Sequence, residues 1–250
     1  MIHLEGVRKA FGSQVVLDGV DFDVKEGETV ALLGPSGTGK SVTLKTMIGL
    51  VRPDDGVILV DDKDVWNLDR RGLKEMREGI GYVFQYGALF DSIDVFENVH
   101  LGITNEEQYG DLVHSRDRVA ECLKLVNLDP EVIDKMPGEL SGGMKKRVGI
   151  ARAIAGRPKY LLWDEPTSGL DPMNADIIDA LILRMEEELG VTSVVVTHDV
   201  RGAFRVADRL ALLMDGKILL QGTPAEFLAS DDPKVRAFLE RDRDTSHFAA

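Results

Sequence analysis

Short apolar runs alternate with longer amphipathic segments along most of this chain. The run Val30–Leu33 predicts a buried strand, and Val20, Phe22 and Val24 alternate with polar residues as in a half-exposed strand. Similar runs predict strands over 57–60, 80–84, 160–163, 192–197, 209–214 and 217–221. Helical periodicity predicts helices over 40–50, 68–78, 145–155, 172–189, 200–206, 224–229 and 233–240. Because strands and helices alternate, we expect an α/β fold with a mostly parallel sheet.

Two regions depart from this alternation. Residues 2–33 contain short strands separated by turns, which predicts a small N-terminal antiparallel β layer. Residues 92–138 are helical and rich in loops. An apolar helical stripe in this second region consists of Val113, Val119, Leu123 and Val126.

We expect one large domain rather than several small ones. Its helical part is interpreted as a subdomain inserted into the α/β core. The expected bounds are a domain over 1–240, with a core of 1–87 and 158–230, a helical subdomain of about 88–157, and a C-terminal helix and tail over 231–250.

The negative charge of the chain argues against some classes of binding partner. The 250 residues carry a formal net charge of −13, and the pI is about 4.9. These values argue against a protein that binds nucleic acid through phosphate contacts or adsorbs directly to an anionic membrane. The strongest basic cluster, Lys145–Arg147, is interpreted as a solvated helix face. We therefore expect no nucleic-acid partner.

We expect the chain to lie in the cytoplasm. Its longest apolar run, Leu210–Met214, is far shorter than the roughly 20 residues of a spanning helix. The first five residues do not resemble a signal peptide. The one cysteine, Cys122, cannot form an internal disulfide, and its helical context predicts a small buried side chain.

A glycine-rich loop follows the strand Val30–Leu33 and precedes a helix. Its sequence matches the P-loop pattern G-x-x-x-x-G-K-[ST] in the strand–loop–helix context that this motif requires. Glycines let backbone N–H groups wrap closely around a phosphate, and the helix N-terminus adds a favourable dipole. Lys40 can reach the β- and γ-phosphates of a nucleoside triphosphate, and the Ser41 hydroxyl can bind Mg²⁺. The predicted nucleotide contacts are Gly34, Pro35, Ser36, Gly37, Thr38, Gly39, Lys40, Ser41 and Val42.

Polar residues end three of the predicted strands. Asp164 and Glu165 follow one apolar strand, and Gln85 and His198 each end another. Ligands of open α/β sheets bind at the carboxyl ends of the strands. We assign Asp164 to Mg²⁺, with Gln85 and Ser41 as further ligands. Glu165 is assigned to activation of the attacking water, and His198 to a γ-phosphate contact. Taken alone, each motif also fits an acidic loop or a structural histidine.

A second glycine-containing segment, Leu140–Met144, precedes a helix. It reads Leu-Ser-Gly-Gly-Met and is a second candidate anion site, although a simple N-cap is the plainer interpretation. Ser141 lies 101 residues after Lys40. We therefore do not expect one nucleotide to bridge both segments within one chain.

Taken together, these motifs resemble those of the ATP-binding cassette (ABC) ATPases. The Leu-Ser-Gly-Gly segment is the signature of that family, and the other motifs occur in the family's order over about residues 2–230. They are the P-loop at 34–41, Gln85, the signature at 140–144, Asp164-Glu165, Ser168–Asp171 and His198. The resemblance implies hydrolysis of ATP with Mg²⁺, with Glu165, His198, Gln85 and Lys40 as the catalytic residues.

The resemblance also implies that two copies of the chain act together. Phe11 would stack on the adenine ring. Ser141, Gly142 and Gly143 would hold the γ-phosphate of the nucleotide bound to a second copy, and Asp171 would lie between the two sites. The implied partners include a membrane permease, which would hold the chain on the inner face of the cell membrane.

A narrower resemblance links the chain to ATPases of Mce-type lipid transporters, such as the maintenance-of-lipid-asymmetry (Mla) system. It is carried by the segment Phe84–Ser92, by Met144 and by residues 231–239. It implies transport of phospholipid between the inner and outer membranes, with an Mce-domain lipid-binding subunit and a small STAS-domain subunit as partners. The alternatives are an importer of a polar solute such as an amino acid, a soluble ABC ATPase of the iron–sulfur assembly type, and a non-catalytic nucleotide-binding regulator.

Two apolar segments have two interpretations each. Gly87–Phe90 either docks a permease or lies in the core of the helical region. Val235, Phe238 and Leu239 form one helix face, which we expect to pack on the chain's own domain or, alternatively, to dock a neighbouring subunit.

Overall fold

The computed structural model describes residues 1–103 and 112–240. Its contacts divide the chain into two units, Met1–Leu73 with Thr192–Ala250, and Lys74–Val191. Each unit is described by itself below. The predicted subdomain bounds at about 88 and 157 stay a prediction.

Ten strands are present in the described residues. They are β1 (Ile2–Phe11), β2 (Gln14–Val24), β3 (Thr29–Leu33), β4 (Asp55–Val60), β5 (Lys63–Asp64), β6 (Ile80–Val83), β7 (Tyr160–Asp164), β8 (Thr192–Thr197), β9 (Arg209–Met214) and β10 (Lys217–Gly222).

Nine α-helices and two short 3₁₀ helices are present in the same described residues. The α-helices are α1 (Lys40–Met47), α2 (Arg70–Glu78), α3 (Val95–His100), α4 (Leu112–Leu125), α5 (Gly142–Ala155), α6 (Pro172–Leu189), α7 (Val200–Val206), α8 (Pro224–Leu228) and α9 (Pro233–Glu240). The 3₁₀ helices are Pro130–Asp134 and Pro137–Glu139. Most of the predicted elements are confirmed to within a few residues.

The first unit contains the predicted antiparallel layer and a set of mostly parallel strands. The layer has the order β2-β1-β4-β5, and β1 pairs antiparallel with both β2 and β4. In the second sheet β3 pairs parallel with β8 on one side and with β9 on the other. All five residues of β3 are buried, as an apolar strand between two neighbours requires. β9 and β10 form a hairpin through Asp215 and Gly216, which both have positive φ.

The second unit combines a parallel strand pair with packed helices. β6 pairs parallel with β7, and Val83 lies opposite Trp163. The helices α3, α4 and α5 pack against one another through buried apolar side chains that include Val119, Cys122 and Leu123. The buried position predicted for Cys122 is confirmed.

The predicted apolar stripe is wrong at one position. Val119, Leu123 and Val126 are fully buried, but Val113 is 71% exposed. Val113 lies near the start of α4, six residues before Val119. Six residues of an α-helix turn through about 600°, so the two side chains point about 120° apart, and only the later one faces the core.

Candidate active site

The P-loop joins β3 to α1 in a conformation that depends on its glycines. Gly34 and Gly39 have φ values of 157° and 103°. A Cβ at Gly34 would overlap the carbonyl oxygen of Leu213, and one at Gly39 would lie 2.8 Å from a methyl group of Val16. The loop therefore needs glycine at both positions, for backbone conformation and for space.

The side chain of Lys40 folds back against the loop that precedes it. Its side chain is only 5% exposed, and its Nζ donates hydrogen bonds to the carbonyl oxygens of Gly34 at 2.8 Å and Pro35 at 3.1 Å. The ammonium group therefore lies beside the backbone that the motif predicts will surround the phosphates. A phosphate at this place would meet a positive charge that already points into the loop.

The start of α1 suits an anion. Its N-cap is Gly39, which has no side chain to cover the helix end. Ser41 and Val42 lie half-buried in the first turn, and Ser36 and Gly37 are exposed at the tip of the loop. Thr38 closes the loop by donating its hydroxyl to the carbonyl oxygen of Pro35 at 2.9 Å. The positive end of the helix dipole thus points into a glycine-lined loop.

His198 lies at the same sheet edge as the P-loop. Leu33 of β3 lies opposite Thr197 of β8 in a parallel register, so Gly34 and His198 follow paired strand ends. His198 is exposed. The predicted contact of His198 with the γ-phosphate is thus geometrically consistent with the loop.

Phe11, the predicted adenine contact, ends strand β1 in the same unit. Its ring is 51% exposed, and Lys9 Nζ lies 5.3 Å from the ring centroid. Lys9 also pairs with Asp54 at 2.8 Å. An aromatic face of this kind can stack on a planar base.

In the second unit, Asp164 is held at the end of β7 by the neighbouring strand. Tyr82 donates its hydroxyl to Asp164 Oδ2 at 2.8 Å. Burial raises the pKa of Tyr82, and the adjacent Asp164 charge raises it further. Tyr82 therefore stays protonated and fixes the orientation of the carboxylate.

Glu165 occupies a backbone conformation that is uncommon for a residue with a side chain. Its φ is 50°, in the left-handed region. The turn that follows is closed by Ser168 N, which donates to Glu165 O at 3.2 Å. The Gln85 amide donates to Ser168 Oγ at 3.1 Å. Ser168 therefore connects the segment after β6 with the segment after β7.

The signature segment begins α5 as the simpler interpretation expected. Ser141 is the N-cap, and its hydroxyl accepts from Met144 N at 3.3 Å. Ser141 and Gly142 are exposed, whereas Gly143 is buried, and a Cβ there would lie 2.6 Å from Asn174 Oδ1. Asn174 in turn donates to Asp171, the N-cap of α6, at 2.6 Å. An N-cap and an anion site are compatible, since both use the N-terminal end of a helix.

The interpretation of Lys145–Arg147 as a solvated face is wrong for Lys146. Lys146 is 7% exposed, and its Nζ donates to Pro166 O at 2.8 Å and Ser168 O at 2.5 Å. Burial lowers its pKa to about 8, while the Glu165 charge opposes that shift. The sequence does contain a signal for this burial, because Lys146 lies four and eight residues before the buried Ile150 and Ile154 of α5.

The structure thus places the predicted site residues in two groups, and their roles stay predictions. The first unit holds Phe11, the loop residues 34–42 and His198. The second unit holds Gln85, Ser141–Gly143, Asp164 and Glu165. Sequence reasoning missed Tyr82, Asn174 and Lys146, which contact predicted site residues or the turn beside them.

The predicted Mg²⁺ ligands fit that ion chemically. The hydroxyl of Ser41, the amide oxygen of Gln85 and the carboxylate of Asp164 are hard oxygen donors. Within residues 1–103 and 112–240, no cluster of three or more His, Cys, Asp or Glu side chains could hold a metal. Mg²⁺ usually binds through one or two protein oxygen ligands together with substrate phosphates and water, so the chemistry of these assigned residues suits it.

Among residues 1–103 and 112–240, no helix combines the length and the apolar character that crossing a bilayer requires.

Comparison with known proteins identifies the family. Residues 17–168 match the family model described as ABC transporter. A dimeric ATP-binding cassette in a post-hydrolysis state, bound to ADP and Pi, superimposes with a TM-score of 0.77 at 35% identity, covering 89% of this chain and 98% of the other.

Two relatives match nearly the whole chain. A probable ribonucleotide transport ATP-binding protein, mkl, of Mycobacterium leprae is 41% identical over 95% of this chain and 68% of its own length. The intermembrane phospholipid transport ATP-binding protein MlaF of Haemophilus influenzae is 36% identical over 98% of this chain and 92% of its own length. With the P-loop fold and the ordered motifs, these matches show that the chain belongs to the ABC transporter family, as an ATPase that couples ATP hydrolysis to transport.

Proposed function

We propose that this chain powers the transport of phospholipid between the inner and outer membranes. The observation that carries the proposal is the similarity to MlaF, which extends over 98% of this chain and 92% of that relative. The mkl relative is named for ribonucleotide transport, and the chain spans about two thirds of its length. Transport of a polar solute is therefore the second candidate.

ATP binds at the P-loop in this proposal. Lys40 and the N-terminus of α1 hold the phosphates, and Phe11 stacks on adenine. Glu165 accepts a proton from the attacking water, and His198 and Gln85 orient the groups around the γ-phosphate. Mg²⁺, when bound through Ser41, Asp164 and Gln85, neutralises negative charge on the phosphates.

Two copies of the chain are proposed to close on ATP. Ser141 and Gly142 are exposed at the N-terminus of α5, where they can approach a nucleotide held by another copy. The dimeric relative bound to ADP and Pi supports this arrangement. ATP binding then brings the copies together, and hydrolysis separates them.

The permease is proposed to dock beside β6. A cavity of about 240 Å³ there is lined by residues that include Tyr82, Phe84, Leu101 and Arg152. Within 87–90, Ala88 and Phe90 are exposed, Leu89 is half-buried and Gly87 is buried. The exposed phenyl ring supports the docking interpretation over the core interpretation. Arg152 anchors this segment by donating to Gly87 O and Ala88 O, both at 2.8 Å.

The docking proposal has a direct test. Ala88→Arg or Leu89→Arg should prevent co-purification with the permease and leave nucleotide binding unchanged. The matched control is Lys124→Arg, on the exposed face of α4 in the same unit. Intact co-purification of the two variants would refute docking at this surface.

Purification of the intact membrane complex tests the cargo. The chain should be held at the inner membrane by its permease, together with Mce-domain and STAS-domain subunits, and phospholipid should co-purify. Mass spectrometry identifies both the subunits and the lipids. A complex that lacks an Mce-domain subunit and binds a polar solute would replace the lipid proposal with the second candidate. Recovery of the chain as a soluble complex without a permease would favour the iron–sulfur assembly type.

A further inference from the structure

Lys146 lies where α5, the helix that begins in the signature segment, meets the segment that follows β7. Its ammonium group donates to the carbonyl oxygens of Pro166 and Ser168, which lie on either side of Thr167. The side chain starts from the second turn of α5, five residues after Ser141. One buried cation thus ties this helix to a short turn through two hydrogen bonds.

That turn carries Glu165, the proposed base. Glu165 has a φ of 50°, and residues with side chains keep such conformations only where the surrounding structure holds them. Two further bonds meet in the turn, from Ser168 N to Glu165 O and from Gln85 Nε2 to Ser168 Oγ. The two hydrogen bonds from Lys146 connect this turn to helix α5.

We propose that Lys146 is a positioning residue for ATP hydrolysis. By holding the carbonyl oxygens of Pro166 and Ser168, it keeps the turn closed and fixes the direction in which the Glu165 side chain leaves the backbone. The inference rests on the proposed role of Glu165. It assigns to Lys146 no contact with ATP or with the attacking water.

The burial of a charged group supports a specific role. Desolvation lowers the pKa of Lys146 to about 8. Keeping a charged ammonium group at this place therefore costs folding free energy. A helix position four residues before the buried Ile150 would accept an apolar side chain at no such cost. Lysine supplies donors to two carbonyl oxygens, which an apolar residue cannot do.

The test compares Lys146→Met with Lys124→Met in the full chain, using phosphate release and nucleotide binding. Methionine keeps an unbranched stem like that of lysine and removes the ammonium donors. We expect Lys146→Met to lower kcat by about tenfold or more, because small misplacements of a catalytic group are costly. ATP affinity and KM should stay within about twofold of wild type, since the nucleotide contacts remain. Lys124→Met should match wild type.

Two further variants separate positioning from general damage to the fold. In a Glu165→Gln background, Lys146→Met should cause no additional loss, because its effect passes through the glutamate. Lys146→Arg, which keeps the donors, should recover most of the rate.

Three results would overturn the inference. They are a Lys146→Met rate near that of wild type, an equal loss in the Glu165→Gln background, and a folded Lys146→Arg as slow as Lys146→Met. If wild type and Glu165→Gln release phosphate equally, the proposed role of Glu165 fails instead, and the two failures are thereby distinguished.

Discussion

Two acidic residues at the end of β7 differ in how they are held, and this difference supports their separate assignments. Asp164 belongs to the strand and accepts a hydrogen bond from Tyr82. Glu165 leaves the strand with a positive φ and begins a closed turn. The first carboxylate is therefore oriented by a neighbouring strand, whereas the second follows a closed turn whose carbonyl oxygens accept hydrogen bonds from Lys146. Such an arrangement suits a metal ligand followed by a base.

Glu165→Gln tests the assignment of the base. The variant keeps the size and shape of the side chain but cannot accept a proton, so hydrolysis should fall by about 10²-fold or more while ATP binding is retained. Phosphate release and binding of a fluorescent nucleotide measure the two effects. Glu187→Gln, an exposed position on α6, is the control. Near wild-type hydrolysis would exclude Glu165 as the base.

At the scale of elements, Arg209 connects the two sheets of the first unit. It lies at the start of β9, and its guanidinium group pairs with Asp23 of β2 and with Glu28 just before β3, both at 3.0 Å. The hydrogen bond from Arg209 lowers the pKa of Asp23, and partial burial opposes that shift. The interaction therefore contributes stability at neutral pH, where Asp23 is charged.

This contribution should depend on pH in one direction. Because the folded pKa of Asp23 lies below its ordinary value of 3.8, the stabilisation is present above that pH and is lost as pH falls through the folded pKa. Arg209→Met should lower the free energy of unfolding by about 1 kcal/mol at pH 7, since the pair is partly exposed to solvent. The difference from wild type should shrink below pH of about 3.8.

Urea unfolding at pH 7 and pH 3 measures that difference. Lys63→Met, an exposed change on β5, is the control and should show no such pH dependence. An Arg209→Met effect that is equal at both pH values would mean that packing, not the ion pair, carries the contribution.

The C-terminal helix α9 packs on the chain itself, as expected for its apolar face. Val235, Phe238 and Leu239 are buried, and Lys234 pairs with Asp215 in the β9–β10 turn at 2.7 Å. The alternative role, docking of a neighbouring subunit, would require these side chains to leave their present positions. A contribution of α9 to the stability of the isolated chain follows.

Phe238→Ala should therefore destabilise the isolated chain. Loss of a buried phenyl ring costs about 3 kcal/mol, which corresponds to a fall in Tm of about 6–12 °C for a chain of this size. Thermal unfolding of the isolated chain measures it, with Glu240→Ala on the exposed face of α9 as the control. An unchanged Tm combined with loss of the membrane complex would assign the helix to docking.

At the scale of the whole molecule, the P-loop alone is half of the proposed site. In the proposed arrangement Ser141 and Gly142 of a second copy enclose its nucleotide, so that ATP would act both as substrate and as the link between two chains. The net charge of −13 on each chain opposes association in the absence of ATP. Pairing should consequently depend on nucleotide and on salt.

Lys40→Ala tests this coupling. In a Glu165→Gln background, which we expect to retain bound ATP, light scattering should show a dimer with ATP. The added Lys40→Ala change should leave a monomer because the phosphates lose their cation. Lys45→Ala, at an exposed position of the same helix, is the control and should remain dimeric. Pairing that survives Lys40→Ala would contradict the two-copy arrangement.

The sequence by itself determined the class, the order of motifs and most of the elements. The reason is that these features are local: the P-loop is one strand, one loop and one helix start, and hairpin residues such as Asp215 and Gly216 specify their own backbone conformation. Residues 160–163 likewise show their burial in their own apolar composition.

Only the tertiary structure decided features that depend on distant partners. Lys146 is buried because carbonyl oxygens some 20 residues away accept its hydrogen bonds. Val113 is exposed and Phe90 remains on the surface because the packing of neighbouring elements, rather than hydrophobicity, sets which apolar side chains are covered. The two hydrogen bonds that link α5 to the turn after Glu165 are of the same kind, because Lys146 and its acceptors lie far apart in the sequence.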